Sequence, residues 1–136
     1  MPASAMIHVR VPFVDVDSSN RIHYTAMMRY WELAEHGLMR AIKMPYASEL
    51  LQQAFPRVHV EADFIGAIRF DDEIDIEARV GSVGRTSWTV LFTAWASGAG
   101  SDAPALAKGK MTIVSMDMAT QRAVPLDERL RAALEG

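Results

Sequence analysis

The chain has 136 residues, half of them hydrophobic and 23% charged, with a formal net charge of −3. That balance predicts a single globular domain over residues 1–136 with a sizeable core, and argues against a disordered chain and against nucleic-acid binding, which needs a basic surplus. The absence of cysteine removes disulfide scaffolds, cysteine nucleophiles, Cys-ligated zinc and iron–sulfur clusters.

Met1 to Ala5 lack the charged and apolar blocks of a signal peptide. The longest uncharged stretch, Thr86 to Ser101, is too short to span a bilayer. The sequence therefore reads as soluble and cytoplasmic, with no membrane partner.

Ile7, Val9, Val11 and Phe13 alternate with His8, Arg10 and Pro12, predicting a half-buried strand near a sheet edge, because Pro12 lacks an amide donor. Asp15 to Arg21 is polar and reads as a loop. Thr25 is placed to cap a helix running to about Lys43, with Pro45 beyond its end. Arg29, Glu32, His36, Arg40 and Lys43 form one narrow polar stripe on that helix. The rest of its surface is mostly apolar, so a curved sheet is the expected cover.

Four strands follow. Val58, Val60, Ala62 and Phe64 alternate with polar residues, as do Ile74, Ile76, Ala78 and Val80. Residues Ser87 to Ala96 and Ala105 to Met118 are apolar on both faces, as central or interface-covered strands are. Gly98 to Pro104 reads as a hairpin tip. Pro125 to Leu134 reads as a short helix with Asp127 and Glu128 in its first turn, where the dipole favours them. The predicted class is α+β: a strand, a long buried helix, four antiparallel strands and a short helix.

The loop before the long helix is the most informative segment. A helix N-terminus offers unpaired N–H groups that polarise a carbonyl and hold an oxyanion. A carboxylate beside it attacks the carbonyl carbon or activates water. Asp17, a few residues before a helix start near His23 to Thr25, makes such a pair without serine, cysteine, metal or cofactor. On composition alone, turn and capping roles for Asp15 and Asp17 are the commoner expectation.

Val11 to Glu35, VPFVDVDSSNRIHYTAMMRYWELAE, resembles the N-terminal signature of the 4-hydroxybenzoyl-CoA thioesterase-like hotdog proteins, with its aromatic-x-Asp-x-Asp loop and central helix. Phe64 to Glu77 and Val114 to Pro125 resemble later segments of the same family. The resemblance implies a long helix wrapped by a five-stranded antiparallel sheet, and an acyl-CoA thioesterase. It implies Asp17 as nucleophile or general base and the Tyr24 amide as the donor to the thioester carbonyl. It places Arg85 and Thr86, after Gly84, where some members bind coenzyme A phosphates.

Several positions depart from the pattern. Ser18-Ser19-Asn20 replaces the Gly-rich step, Met27 stands where many members have tyrosine, Gly66-Ala67 replaces a basic-Pro pair, and Asp71 replaces a glycine. Enoyl-CoA hydratases of this fold use an Asp and a His five residues later. His23 is six residues after Asp17, which disfavours hydration but leaves His23 able to orient Asp17 or substrate.

Met27 and Met28 are core residues first, and one turn from Tyr24 they can also line an acyl pocket. Glu32 is a backup carboxylate, whose default reading is an i,i+4 pair with His36; Glu35 lies beside them. His59, Glu61 and Asp63 share one strand face and read as solvated, not as a metal site. An uncovered helix face and sheet edge predict a homodimer with its active site at the subunit boundary, or a homotetramer. An acyl-carrier-protein thioesterase and a non-catalytic acyl-CoA or small-ligand-binding protein are the alternatives.

Overall fold

The computed structural model describes residues 2–48 and 52–136. Five strands form one antiparallel sheet: β1 (Ser4–Arg10), β2 (Arg57–Phe64), β3 (Glu73–Val83), β4 (Ser87–Ala96) and β5 (Ala107–Val114). Their order across the sheet is β1-β3-β4-β5-β2, so β1 and β2 are the edges. Helix α1 (Tyr24–Ala41) lies on one face, and α2 (Glu128–Glu135) brings Leu130 and Leu134 into the same core.

The period-two pattern settles which face is buried. Ile74, Ile76, Ala78 and Val80 of β3 point to the helix, as do Trp88, Val90, Phe92 and Ala94 of β4. α1 answers with Ala26, Met27, Tyr30, Trp31, Ala34, Leu38 and Met39, all buried. Each large apolar side chain buried here contributes roughly 1.5–3 kcal/mol. Trp31 stacks on Phe92 with ring centroids 4.9 Å apart, and its indole N–H donates to the Glu61 carbonyl at 3.3 Å. Gly109 makes room for that indole. A Cβ there would stand 2.5 Å from Trp31 Nε1 and 2.7 Å from the Glu61 oxygen.

Some predicted boundaries move. The first strand is Ser4–Arg10, because the chain turns through a 3₁₀ segment at Phe13–Asp15. The last strand stops at Val114; Met116 makes isolated bridges to Ala54 and Ala123 instead. Thr25 does not cap α1. The N-cap is His23, in an extended conformation with no side-chain capping bond. Asp127 precedes α2 and caps it through the Arg129 amide.

The predicted polar stripe on α1 is exposed or half-exposed, but a further charge lies outside it. Glu35 is fully buried, with a carboxylate oxygen (Oε2) accepting from the Tyr46 hydroxyl and the Arg57 guanidinium. Its other oxygen has no hydrogen-bond partner among the described residues. Arg57 lies over the Tyr46 ring, 5.0 Å from its centroid. Among the described residues no Glu32–His36 ion pair forms; His36 packs edge-on against Tyr46. Leu33, on the same helix, is about half exposed.

Edge strand β2 is open on both faces: Val58, Val60 and Phe64 remain exposed on its apolar side. On the other side His59 bonds Glu61 at 2.7 Å in solvent. No helix of the described residues is long and apolar enough to cross a membrane.

Candidate active site

Between β1 and α1 the chain makes a small closed hairpin. Val16 and Ile22 bridge, and the Asp17 N–H donates to the Arg21 carbonyl at 2.8 Å. At the tip, Asn20 adopts a left-handed φ of 59°, which asparagine tolerates better than most residues. The hairpin base is closed by the His23 N–H donating to the Asp15 carbonyl at 2.8 Å.

Asp17 sits at the corner of this hairpin, exposed. Its Oδ1 accepts from the Ser19 hydroxyl at 2.6 Å and the Ser19 amide at 2.8 Å, with the Arg21 amide at 3.4 Å. The Ser19 bonds, with help from Arg21 and nearby His23, hold the Asp17 carboxyl below the usual carboxylate range. It is therefore ionised at neutral pH.

Asp15 has the opposite environment. It is buried, and its carboxylate accepts from the Arg29 guanidinium and, at 2.7 Å, the Tyr30 hydroxyl. Burial alone would raise its pKa, but the Arg29 and Tyr30 hydrogen bonds outweigh it and hold the carboxyl ionised. Burial and the adjacent Asp15 charge push the Tyr30 hydroxyl up, so it stays protonated as the donor.

α1 starts at Tyr24. Ala26 N–H donates to the His23 carbonyl at 3.0 Å, while the Tyr24 and Thr25 amides make no backbone hydrogen bond among the described residues. Free amides at a helix start carry partial positive charge. Beside Tyr24 opens a cavity of about 300 Å³, lined by Arg21, Ile22 and Tyr24 on one side and by Phe64 to Ile68 on the other. The Ile22 amide donates to the Ile68 carbonyl at 3.0 Å and so ties the two walls together.

The structure thus brings Asp17, His23 and Tyr24 into one local unit, with a cavity at the helix start. Asp17 itself does not line that cavity within one chain. Met27 is buried in the core and Met28 is half-buried against it; neither lines the cavity.

Arg85 and Thr86 are not near this unit. They follow β3, whose eleven residues span roughly 35 Å, whereas the Asp17 hairpin adjoins the start of β3 through the Asp71 N–H to Val11 carbonyl bond. The Arg85 carbonyl accepts from the Leu126 amide and from Arg131, while its exposed guanidinium has no partner among the described residues. Buried Asp15 and the 64–68 wall were not marked as site residues by the sequence. Only the aromatic–aliphatic pair Phe64-Ile65 at a strand end hinted at the wall.

A long helix clasped by a five-stranded antiparallel sheet in this order is the hotdog fold. The thioesterase superfamily model matches residues 20–103, so the chain belongs to that superfamily, and its class of activity is thioester hydrolysis. No match was found among curated proteins.

Solved structures repeat the fold. A 1,4-dihydroxy-2-naphthoyl-CoA thioesterase from Synechocystis superposes with a TM-score of 0.86 at 14% identity, over 96% of this chain and 95% of that one. A thioesterase from Thermus thermophilus, crystallised with coenzyme A and zinc, is 25% identical with a TM-score of 0.77, over 95% and 90% of the two chains. An Asp-to-Asn mutant of 4-hydroxybenzoyl-CoA thioesterase, complexed with 4-hydroxybenzoyl-CoA, gives 0.83 at 16% identity, over 97% and 99%.

Proposed function

We propose that this chain hydrolyses an acyl-CoA thioester to the free acid and coenzyme A, with Asp17 as its catalytic carboxylate. The observation that carries the reading is the hairpin that holds an ionised Asp17 beside an α1 start whose first amides make no backbone hydrogen bond among the described residues. In the nucleophilic route, an Asp17 oxygen attacks the thioester carbon and the carbonyl becomes an oxyanion. The Tyr24 N–H, at the positive end of α1, stabilises that charge. Collapse expels the coenzyme A thiolate, and water hydrolyses the resulting anhydride. In the general-base route, Asp17 takes a proton from the attacking water. Both routes use the same two groups, and His23 beside them orients Asp17. That a relative holding 4-hydroxybenzoyl-CoA carries an Asp-to-Asn change supports an acid in this role.

The active unit is a homodimer in this reading. Edge strand β2 offers unpaired backbone groups and exposed Val58, Val60 and Phe64 next to the cavity wall. Asp17 and Arg85 lie at opposite ends of the sheet. A two-fold partner joined antiparallel along β2 would bring its own opposite end towards this cavity, where a free Arg85 guanidinium and Thr86 can meet coenzyme A phosphates. Met28, half-buried near the helix start, is the residue most available to line an acyl pocket completed by the partner. Thiol release from a panel of aromatic and aliphatic acyl-CoA esters tests the activity: release from at least one ester supports it, and none from any refutes it.

A further inference from the structure

We propose that Asp15 is a positioning residue for this reaction, the pin that fixes the Asp17 corner against the start of α1. The inference rests on the Asp17 reading above. Asp15 is buried, unlike Asp17, so it does not touch substrate. Its carbonyl and carboxylate contacts run from the hairpin to the helix. Its carbonyl accepts the His23 N–H at 2.8 Å, the last amide before α1. Its carboxylate accepts from Arg29 and Tyr30, one to two turns into α1. Its own amide donates to the Pro12 carbonyl at 3.0 Å, anchoring the 3₁₀ turn.

The geometry makes the consequence specific. Asp17 is two residues beyond this pin and Tyr24 one residue beyond His23. A shift of Asp15 along or around α1 therefore changes the separation of acid and amide, while the sheet and the buried face of α1 keep their own packing. Arg29 is largely exposed at its far end, so this ion pair is not needed to fill the core. Reactions that depend on two aligned groups lose rate steeply with small displacements.

The experiment compares wild type, Asp15→Asn, Arg29→Gln and Tyr30→Phe. Each is checked for folding by urea unfolding, then assayed for kcat and KM on the best acyl-CoA ester. In parallel, the Asp17 carboxyl is titrated by carbon-13 NMR. In folded Asp15→Asn, kcat should fall roughly 10- to 100-fold with KM little changed. The two partner variants, each losing one contact, should fall less.

The Asp17 titration should move up towards the ordinary carboxylate range as its Ser19 and Arg21 contacts loosen. Loss of a neighbouring negative charge would by itself move it down, so the sign separates repositioning from simple electrostatics. Should Asp15→Asn fail to fold, Tyr30→Phe, which changes no charge, decides by the same readouts, and Arg29→Gln decides by kcat alone, because losing its positive charge would itself raise the Asp17 titration. Wild-type kcat in the folded variants overturns the proposal. If the wild type hydrolyses no ester, the functional reading fails and the titration alone decides: an upward shift supports the pin, and an unchanged or lowered one overturns it.

Discussion

The His23 N–H donates to the Asp15 carbonyl at 2.8 Å and closes a hairpin that also contains Asp17. Acid and helix start are thereby held on one small unit of backbone, rather than on separate elements that must dock. The unit is tied to the β2–β3 connection by the Ile22 N–H to Ile68 carbonyl bond, so it is joined directly to the cavity wall. Four consequences can be measured.

The buried Glu35–Arg57 pair should respond asymmetrically to substitution. Glu35 is fully buried, whereas the Arg57 side chain is 31% exposed. Arg57→Met strands a buried carboxylate on Tyr46 alone and should cost about 3–5 kcal/mol in urea unfolding. Glu35→Met leaves an arginine that reaches solvent and should cost less. The double variant should recover most of the Arg57→Met loss; simple additivity of the two would contradict this.

On the outer face of the β1–β3 edge, His8 gives stability a pH dependence. Its Nδ1 lies 3.0 Å from Asp75 and its Nε2 3.2 Å from Glu73. The hydrogen bond to Asp75, then that to Glu73, raises the His8 pKa above 6.5 in the folded chain. The folded state therefore binds this proton more tightly, so the contribution is complete below the unfolded value. It is lost as pH rises through the raised value. As pH rises from below 6.5 through the raised value, the wild-type Tm should decline relative to that of His8→Gln. Parallel curves for the two would count against the link.

β2 carries the proposed dimer contact. Val60→Lys places a charge on the exposed apolar side of this edge, a device that keeps edge strands from pairing. Sedimentation should show a dimer for the wild type and a monomer for the variant, with activity lost alongside. A wild type that is monomeric and active would remove the partner chain from the site.

The fold was legible where the pattern is long. Alternation in β3 and β4 marked Ile74, Ile76, Trp88 and Phe92 as inward-facing, and their burial agrees. The chain start and ends of strands were less legible, because small residues such as Ser4 and Ala5 carry no alternation signal and pairing with β3 decides them. The α1 cap was misplaced at Thr25 because the helix is set by the His23–Asp15 backbone bond, which no side-chain rule encodes. The burial of Glu35 has a signal in the sequence: it stands four residues after Trp31 and three before Leu38, which puts it on the buried face. Its partner Arg57 lies beyond the helix, and the pairing depends on tertiary structure. Asp15 likewise gave no sign of burial, since Arg29 meets it only after the hairpin closes.

The most direct measurement is the rate of acyl-CoA hydrolysis by the wild type and by Asp17→Asn, over the ester panel and at matched folded concentration. The exposed Asp17 side chain carries no core packing, so the two should unfold at similar urea concentrations. Loss of the carboxylate should lower kcat by about 10²- to 10⁴-fold on every ester the wild type cleaves. Equal rates from a folded Asp17→Asn protein would contradict the mechanism and move the chemistry away from this hairpin.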